Sequence, residues 1–138
     1  MASRSDSPTQ HHQRNRTVGR EQALSVCSHL LGAELTQPFG HGSAVFKVAG
    51  KMFAVVSLDD VLGVATLKCD PDYGAALVAL HDEVSVGYHM NKRHWISVTL
   101  KPQLSATLVE ALIEDSYDLV VAALPVCDQP SPRTSTDN

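Results

Sequence analysis

Residues 44–58 read AVFKVAGKMFAVVSL, two β-prone runs separated by the short step Ala49-Gly50. Ala44 to Val48 forms the first run and Lys51 to Leu58 the second. A two-residue connection that ends in glycine is typical of a tight β-hairpin, because glycine accepts the positive φ angles such turns require. The stretch therefore predicts two antiparallel strands.

Other elements can be predicted outward from this hairpin. Before it, the apolar residues from Ala23 to Leu31 recur at helical spacing, with Thr17 as a possible N-cap and Gly32 at the end, and Thr36 to Phe39 are extended around Pro38. After it come a strand at Val64–Cys69, a helix from Asp70-Pro71 to about Asp82, strands at Val84–His89 and Trp95–Leu100, and a closing amphipathic helix between Leu104 and Leu124. This order predicts an α+β fold, in which an antiparallel sheet has helices covering one face and the other face is open.

Charge and apolar content divide the chain of 138 residues into three parts. Residues 1–17 are almost without apolar side chains and predict a disordered tail, and residues 126–138 predict a second one. One domain is expected over residues 18–125, which carry seven basic and twelve acidic groups. An acidic domain argues against strong nonspecific affinity for nucleic acid, because counterion release needs a basic surface.

Two features bear on location. No run approaches the roughly 20 apolar residues that a membrane span needs, and the start lacks the order of a signal peptide. The three cysteines are widely spaced, which favours reduced thiols over a disulfide framework. We therefore expect a cytoplasmic protein with no membrane partner.

Residues 87–95, Gly-Tyr-His-Met-Asn-Lys-Arg-His-Trp, concentrate cations, imidazoles and aromatic rings in nine positions. If the strand after them is half-buried, Ile96 and Val98 face the core and Trp95 faces the opposite side. An indole there, beside Lys92 and Arg93, can stack on a flat ligand or a base. In the alternative, Trp95 closes a secondary apolar cluster and the two cations only solvate a hairpin.

Catalytic and metal chemistry is less well supported. Lys51 and Lys68 lie among apolar neighbours, where an amine can become nucleophilic, but lysine more often extends its stem over a sheet. His89 and His94 alone make a poor metal site, and Cys69, although it precedes a helix, has no histidine placed as its base. We therefore expect packing for Cys69 and no metal or other cofactor, and a noncatalytic protein is favoured over the alternative of an enzyme.

An ordered set of motifs resembles the MmcQ/YjbR-like proteins. The matches are Phe39-Gly40, Val45–Val48 with Gly50–Phe53, Leu67–Pro71, Gly87–Trp95 and Ser116–Val120. The resemblance covers about residues 20–125 and departs at Leu30-Leu31-Gly32, where the family often has Leu-Pro-Gly. It implies a CyaY-like (frataxin-like) α+β fold described as a double-wing motif, from which DNA binding has been proposed. The family name also implies a link to handling of the antibiotic mitomycin C, hence to antibiotic resistance.

Together these patterns predict a noncatalytic binding protein that contacts DNA through the Tyr88 to Trp95 region. The alternative is a protein that binds a planar small molecule, such as an aromatic antibiotic, for drug resistance. The patterns carry no prediction of oligomeric state. The residues predicted to bind nucleic acid or ligand are Tyr88, His89, Asn91, Lys92, Arg93, His94, Trp95, Lys51 and Lys68.

Overall fold

The computed structural model describes residues 19–38, 40–59, 61–87, 91 and 93–130. In chain order the helices and strands are α1 (Arg20–His29), β1 (Ala33–Thr36), β2 (Ser43–Val48), β3 (Lys51–Ser57), β4 (Val64–Lys68), α2 (Pro71–Leu80), β5 (Val84–Val86), β6 (Trp95–Thr99) and α3 (Ala106–Ala122). A short 3₁₀ turn follows at Val126–Asp128. Residues 1–17 lie outside the described part, so the predicted tail stays a prediction. The predicted N-cap Thr17 is wrong, because α1 begins at Arg20 and its N-cap is Gly19, which has no side chain to cap the helix. No helix in the described residues is long and apolar enough to cross a membrane.

The predicted hairpin is confirmed as β2 and β3. Val48 pairs with Lys51, and between them Ala49 and Gly50 take φ angles of 51° and 80°. Two successive positive φ angles define the turn that matches the natural twist of a β-ribbon. Further along, Phe46 pairs with Ala54 and Lys47 with Met52, which leaves Phe53 as an extra residue in a β-bulge.

Six strands form one sheet in the order β1-β2-β3-β4-β6-β5, and every neighbouring pair is antiparallel. The strand β1 begins at Ala33, earlier than the extended segment predicted from Thr36. Glu34 and Leu35 are both exposed, so this edge strand lacks the alternation that reveals a half-buried strand.

The three helices pack against one face of the sheet, and the core lies between them, as predicted for the α+β class. Alternate strand residues such as Phe46, Val56, Leu67 and Val98 meet Ala23 and Cys27 of α1, Leu77 of α2, and Val109, Leu112 and Ile113 of α3. Below, the face that carries Phe46 and Val98 is called the core face, and the opposite one the outer face.

Side chains fix where α2 and α3 begin and how α3 is held. The Asp70 carboxylate accepts hydrogen bonds from the backbone N–H groups of Asp72 and Tyr73, which confirms the predicted cap of α2. Ser105 caps α3 in the same way. Tyr117 of α3 stacks edge-on against Phe53 with ring centroids 5.3 Å apart, and its hydroxyl donates to the carbonyl of Leu31.

Candidate functional site

Trp95 lies on the outer face of the sheet, as the strand pattern predicted. Its neighbours in β6, Ile96 and Val98, are 4% and 1% exposed and belong to the core cluster. Trp95, Ser97 and Thr99 point the other way and are partly exposed. The indole is therefore neither enclosed in the core nor fully solvated.

Lys68 is the direct cross-strand partner of Trp95. The two residues pair in the β4–β6 ladder, and the next backbone bond runs from the Cys69 N–H to the His94 carbonyl at 2.7 Å. That bond makes Lys68 and Trp95 a pair without mutual hydrogen bonds, the type in which facing side chains come closest. The sheet thus places the side chain of Lys68 beside the indole of Trp95 on the same face.

Gly87 lies on the other side of Trp95. Its N–H donates to the Trp95 carbonyl at 2.9 Å, and a Cβ atom at residue 87 would lie only 2.9 Å from the Trp95 Cβ. A real Cβ atom does not approach another that closely, so the observed position of Trp95 requires glycine here. Because residue 87 is glycine, no side chain from this position covers the indole of Trp95.

A turn over Asn91 to His94 leads into Trp95. The Asn91 carbonyl accepts from the N–H groups of both His94 and Trp95 at 3.0 Å, and the Asn91 side-chain oxygen accepts from the Arg93 N–H at 3.0 Å. The last bond forms an Asx-turn, in which the asparagine side-chain oxygen accepts a hydrogen bond that a backbone carbonyl accepts in an ordinary turn. Asn91 and Arg93 are exposed and His94 is partly buried.

The other predicted site residues divide into two groups. Tyr88, His89 and Lys92 lie outside the described residues, so their part in the site stays a prediction. Lys51 is described, and it is not brought to Trp95. Its partner Val48 is in the core cluster, so the exposed Lys51 projects from the core-face side of the hairpin, two strands away from β6.

Two features of the site were not predicted. Thr66 and Ser97 pair next to Lys68 and Trp95, with their hydroxyl oxygens 3.4 Å apart on the outer face. Ser116 of α3, which is 0% exposed, donates to the Phe53 carbonyl at 2.6 Å and accepts from the Lys68 N–H at 2.8 Å. The signal for Ser116 was a serine within the apolar stripe of a helix, a place where a hydroxyl needs a partner.

The two sides of the sheet differ in charge. The helix α3 carries four carboxylates and no lysine or arginine, namely Glu110, Glu114, Asp115 and Asp118. The outer face carries Lys47 and Lys68, with Glu34 of β1 directly opposite Lys47, and Arg93 lies in the adjoining turn. Among the residues placed by the structure, no ion pair ties Lys68 or Arg93 to a carboxylate.

A shallow cavity of about 280 Å³ lies away from Trp95, between α2 and α3, lined by Cys69, Asp70, Tyr73, Asp115, Asp118, Leu119 and Ala122. Burial first, and then the charges of Asp70 and Asp115, raise the pKa of the Cys69 thiol. A raised pKa lowers the thiolate fraction, which agrees with the expected packing role of Cys69. Over the described part of the chain, no cluster of three or more histidine, cysteine or acidic side chains suits a metal ion.

Comparison with known proteins agrees with the resemblance seen in the motifs. A family model described as YjbR matches residues 28–119. The chain is 38% identical over 109 residues to the uncharacterised protein YbdF of Escherichia coli O157:H7, which covers 79% of this chain and 89% of YbdF. It is 29% identical over 104 residues to the uncharacterised protein YjbR of Escherichia coli strain K12, over 75% of this chain and 88% of YjbR.

Two crystal structures share the fold. The DUF419-domain protein DR2400 of Deinococcus radiodurans superimposes with a TM-score of 0.76 at 30% identity, covering 87% of this chain and 88% of that one. A protein from Pseudomonas syringae gives a TM-score of 0.62 at 27% identity, over 72% of this chain and 97% of that one. With the matched family model and these relatives, the chain belongs to the YjbR family.

Proposed function

We propose that this protein is a noncatalytic DNA-binding protein whose contact surface is the outer face around Trp95, together with the turn from Tyr88 to His94. The observation that carries the proposal is the Lys68–Trp95 pair, a cation and a large ring held side by side on the face that no helix occupies in the described chain. A ring of this kind stacks on bases, and an adjacent ammonium meets phosphate.

The charge immediately around Trp95 supports the proposal despite the net charge of −4. The four carboxylates of α3 lie on the helical side, whereas Lys68 and Arg93 belong to the outer face beside Trp95 and its adjoining turn. Lys47 is farther along the outer face and lies opposite Glu34. A polyanion approaching the protein is therefore repelled by the α3 side and attracted by the patch of Lys68 and Arg93 beside Trp95. A chain with a negative net charge can bind nucleic acid when the surface patch that makes the contact is basic.

The second candidate is binding of a planar aromatic small molecule, such as an antibiotic, by the same indole. It is favoured by Gly87, which adds no side chain where a flat ligand would lie against Trp95. The cavity of about 280 Å³ between α2 and α3 does not support this second candidate, because Cys69 and Tyr73 line that cavity and Trp95 does not. Binding of this kind would be insensitive to salt and would raise the melting temperature by mass action.

Fluorescence anisotropy of labelled DNA, titrated with the protein at low and moderate salt, tests the first candidate. We expect binding that weakens as salt rises, and a further loss in Lys68→Ala and in the double variant Lys92→Ala with Arg93→Ala. The matched control is Lys51→Ala, which removes the same charge from the other side of the sheet and should bind like the wild type. Absence of binding at low salt, or equal losses in Lys68→Ala and Lys51→Ala, would contradict the proposal.

A further inference from the structure

We infer that the nucleic acid recognised by this face is single-stranded, with an unpaired base stacked on Trp95 and adjacent phosphates at Lys68 and Arg93. The inference rests on the proposed function and specifies the form of its ligand. It follows from the short side chains beside Trp95, from the position of the helices, and from the small number of cations on the outer face.

The surface beside Trp95 is formed by short side chains that bear hydroxyl groups. Next to the Trp95–Lys68 pair, the row across the sheet consists of Ser85, Ser97 and Thr66, all short side chains. The Thr66 and Ser97 oxygens approach to 3.4 Å, so neither side chain rises far above the sheet. An extended strand can lie across such a row, with hydroxyls in reach of base edges or phosphates and the indole as a stacking platform.

A duplex suits this surface poorly. Its bases are already stacked on one another, so an indole can reach only their edges, and groove readers insert a helix or a two-stranded ribbon. All three helices of the described chain lie on the core face, and the longest, α3, carries four carboxylates and no cation. Those carboxylates would repel the phosphates on both sides of a groove.

The small number of cations on the outer face also favours a single strand over a duplex. Nonspecific duplex binding comes almost entirely from phosphate contacts, with about six to ten of them in strong cases. The described outer face and its turn supply Lys47, Lys68 and Arg93, and Glu34 lies directly opposite Lys47. Single strands need fewer cations, because each stacked base adds roughly ten-fold in affinity independently of charge.

The test compares oligothymidine with a duplex of equal length in one competition assay. We expect oligothymidine to bind at least about ten-fold more tightly, Trp95→Ala to lose about ten-fold, and Trp95→Phe to lose less because it keeps a ring. Tyr73→Ala is the matched control, since Tyr73 is an exposed aromatic residue on α2, and it should bind like the wild type. A 5-iodouracil oligonucleotide, photo-crosslinked to the unaltered protein, should form its adduct at Trp95.

The outcomes separate the two proposals. Duplex binding as tight as or tighter than oligothymidine binding would overturn the inference and leave DNA binding standing. Binding of neither would overturn the proposed function itself. Tight oligothymidine binding with adducts that map away from Trp95 would overturn the stacking mode, whether or not the alanine variant folds.

Discussion

The hydroxyl of Ser116 donates a hydrogen bond of 2.6 Å to the carbonyl oxygen of Phe53, and so joins α3 to the bulged position of β3. The same hydroxyl accepts from the Lys68 N–H at 2.8 Å. The paired register of β3 and β4 ends at Ala54 and Leu67, one step before these two groups. A helix side chain therefore satisfies the backbone where the strand ladder stops, and it fixes the strand position that carries Lys68.

Replacing Ser116 by alanine should destabilise the protein by about 2–4 kcal/mol, because two buried backbone groups lose their partner. Urea denaturation measures the change. Ser25→Ala, at an exposed position of α1, is the control and should alter stability by less than about 0.5 kcal/mol. Equal stabilities for the two variants would mean that the Ser116 hydroxyl contributes nothing.

Replacing Gly87 by alanine should push Trp95 from its place, because the new Cβ would lie 2.9 Å from the Trp95 Cβ. We expect a loss of about 1–3 kcal/mol in the free energy of unfolding and a shift in tryptophan emission. The control is Ser85→Ala, on the exposed side of the same edge region. If Gly87→Ala matched Ser85→Ala in both stability and emission, the close approach would be wrong.

The three thiols should differ in reactivity. Cys127 is exposed, whereas Cys27 and Cys69 are buried and burial raises the pKa of both. A native sample treated with Ellman's reagent should therefore show one fast thiol, with the other two reacting only on unfolding. Cys127→Ser should abolish the fast phase; a fast phase that survives this change would show that a buried thiol is accessible.

Stability should fall at alkaline pH through Cys27. Burial raises the pKa of this thiol to about 12 from its ordinary value of 9.0, so between these values the folded state keeps a proton that the unfolded chain has lost. The free energy of unfolding, full below about pH 9, should then drop by about 1.4 kcal/mol per pH unit from this group as pH rises. Urea denaturation across that window, compared with Cys27→Ala, measures the contribution; parallel slopes in the two proteins would contradict it.

The sequence was most informative where local rules and tertiary structure agree. Ala49-Gly50 predicted the hairpin because the connection is short and glycine accepts a positive φ angle, and Asp70-Pro71 predicted the start of α2 because capping is a local hydrogen bond. The outward direction of Trp95 followed from alternation with Ile96 and Val98. The motifs that resemble the YjbR family led to the same fold.

Features that depend on pairing between distant strands were not predictable from local pattern. The edge strand β1 was placed too late because Glu34 and Leu35 are both exposed. Lys51 was predicted as a site residue because the sequence shows its basic charge. The face of the sheet on which it lies depends on its pairing with Val48, which the sequence does not show. The bond from Ser116 to Phe53 joins residues 63 positions apart, a separation at which sequence spacing carries no geometric information.

The central claim is that the indole of Trp95 is a contact surface for nucleic acid, and Trp95 is the only tryptophan in the chain. Its intrinsic fluorescence, titrated with oligothymidine at low salt, tests the claim without any label or substitution. The account predicts saturable quenching that weakens as salt is raised, since a stacked base quenches the ring while phosphates contact Lys68 and Arg93. Emission that stays unchanged while a separate assay shows the oligonucleotide bound would contradict it.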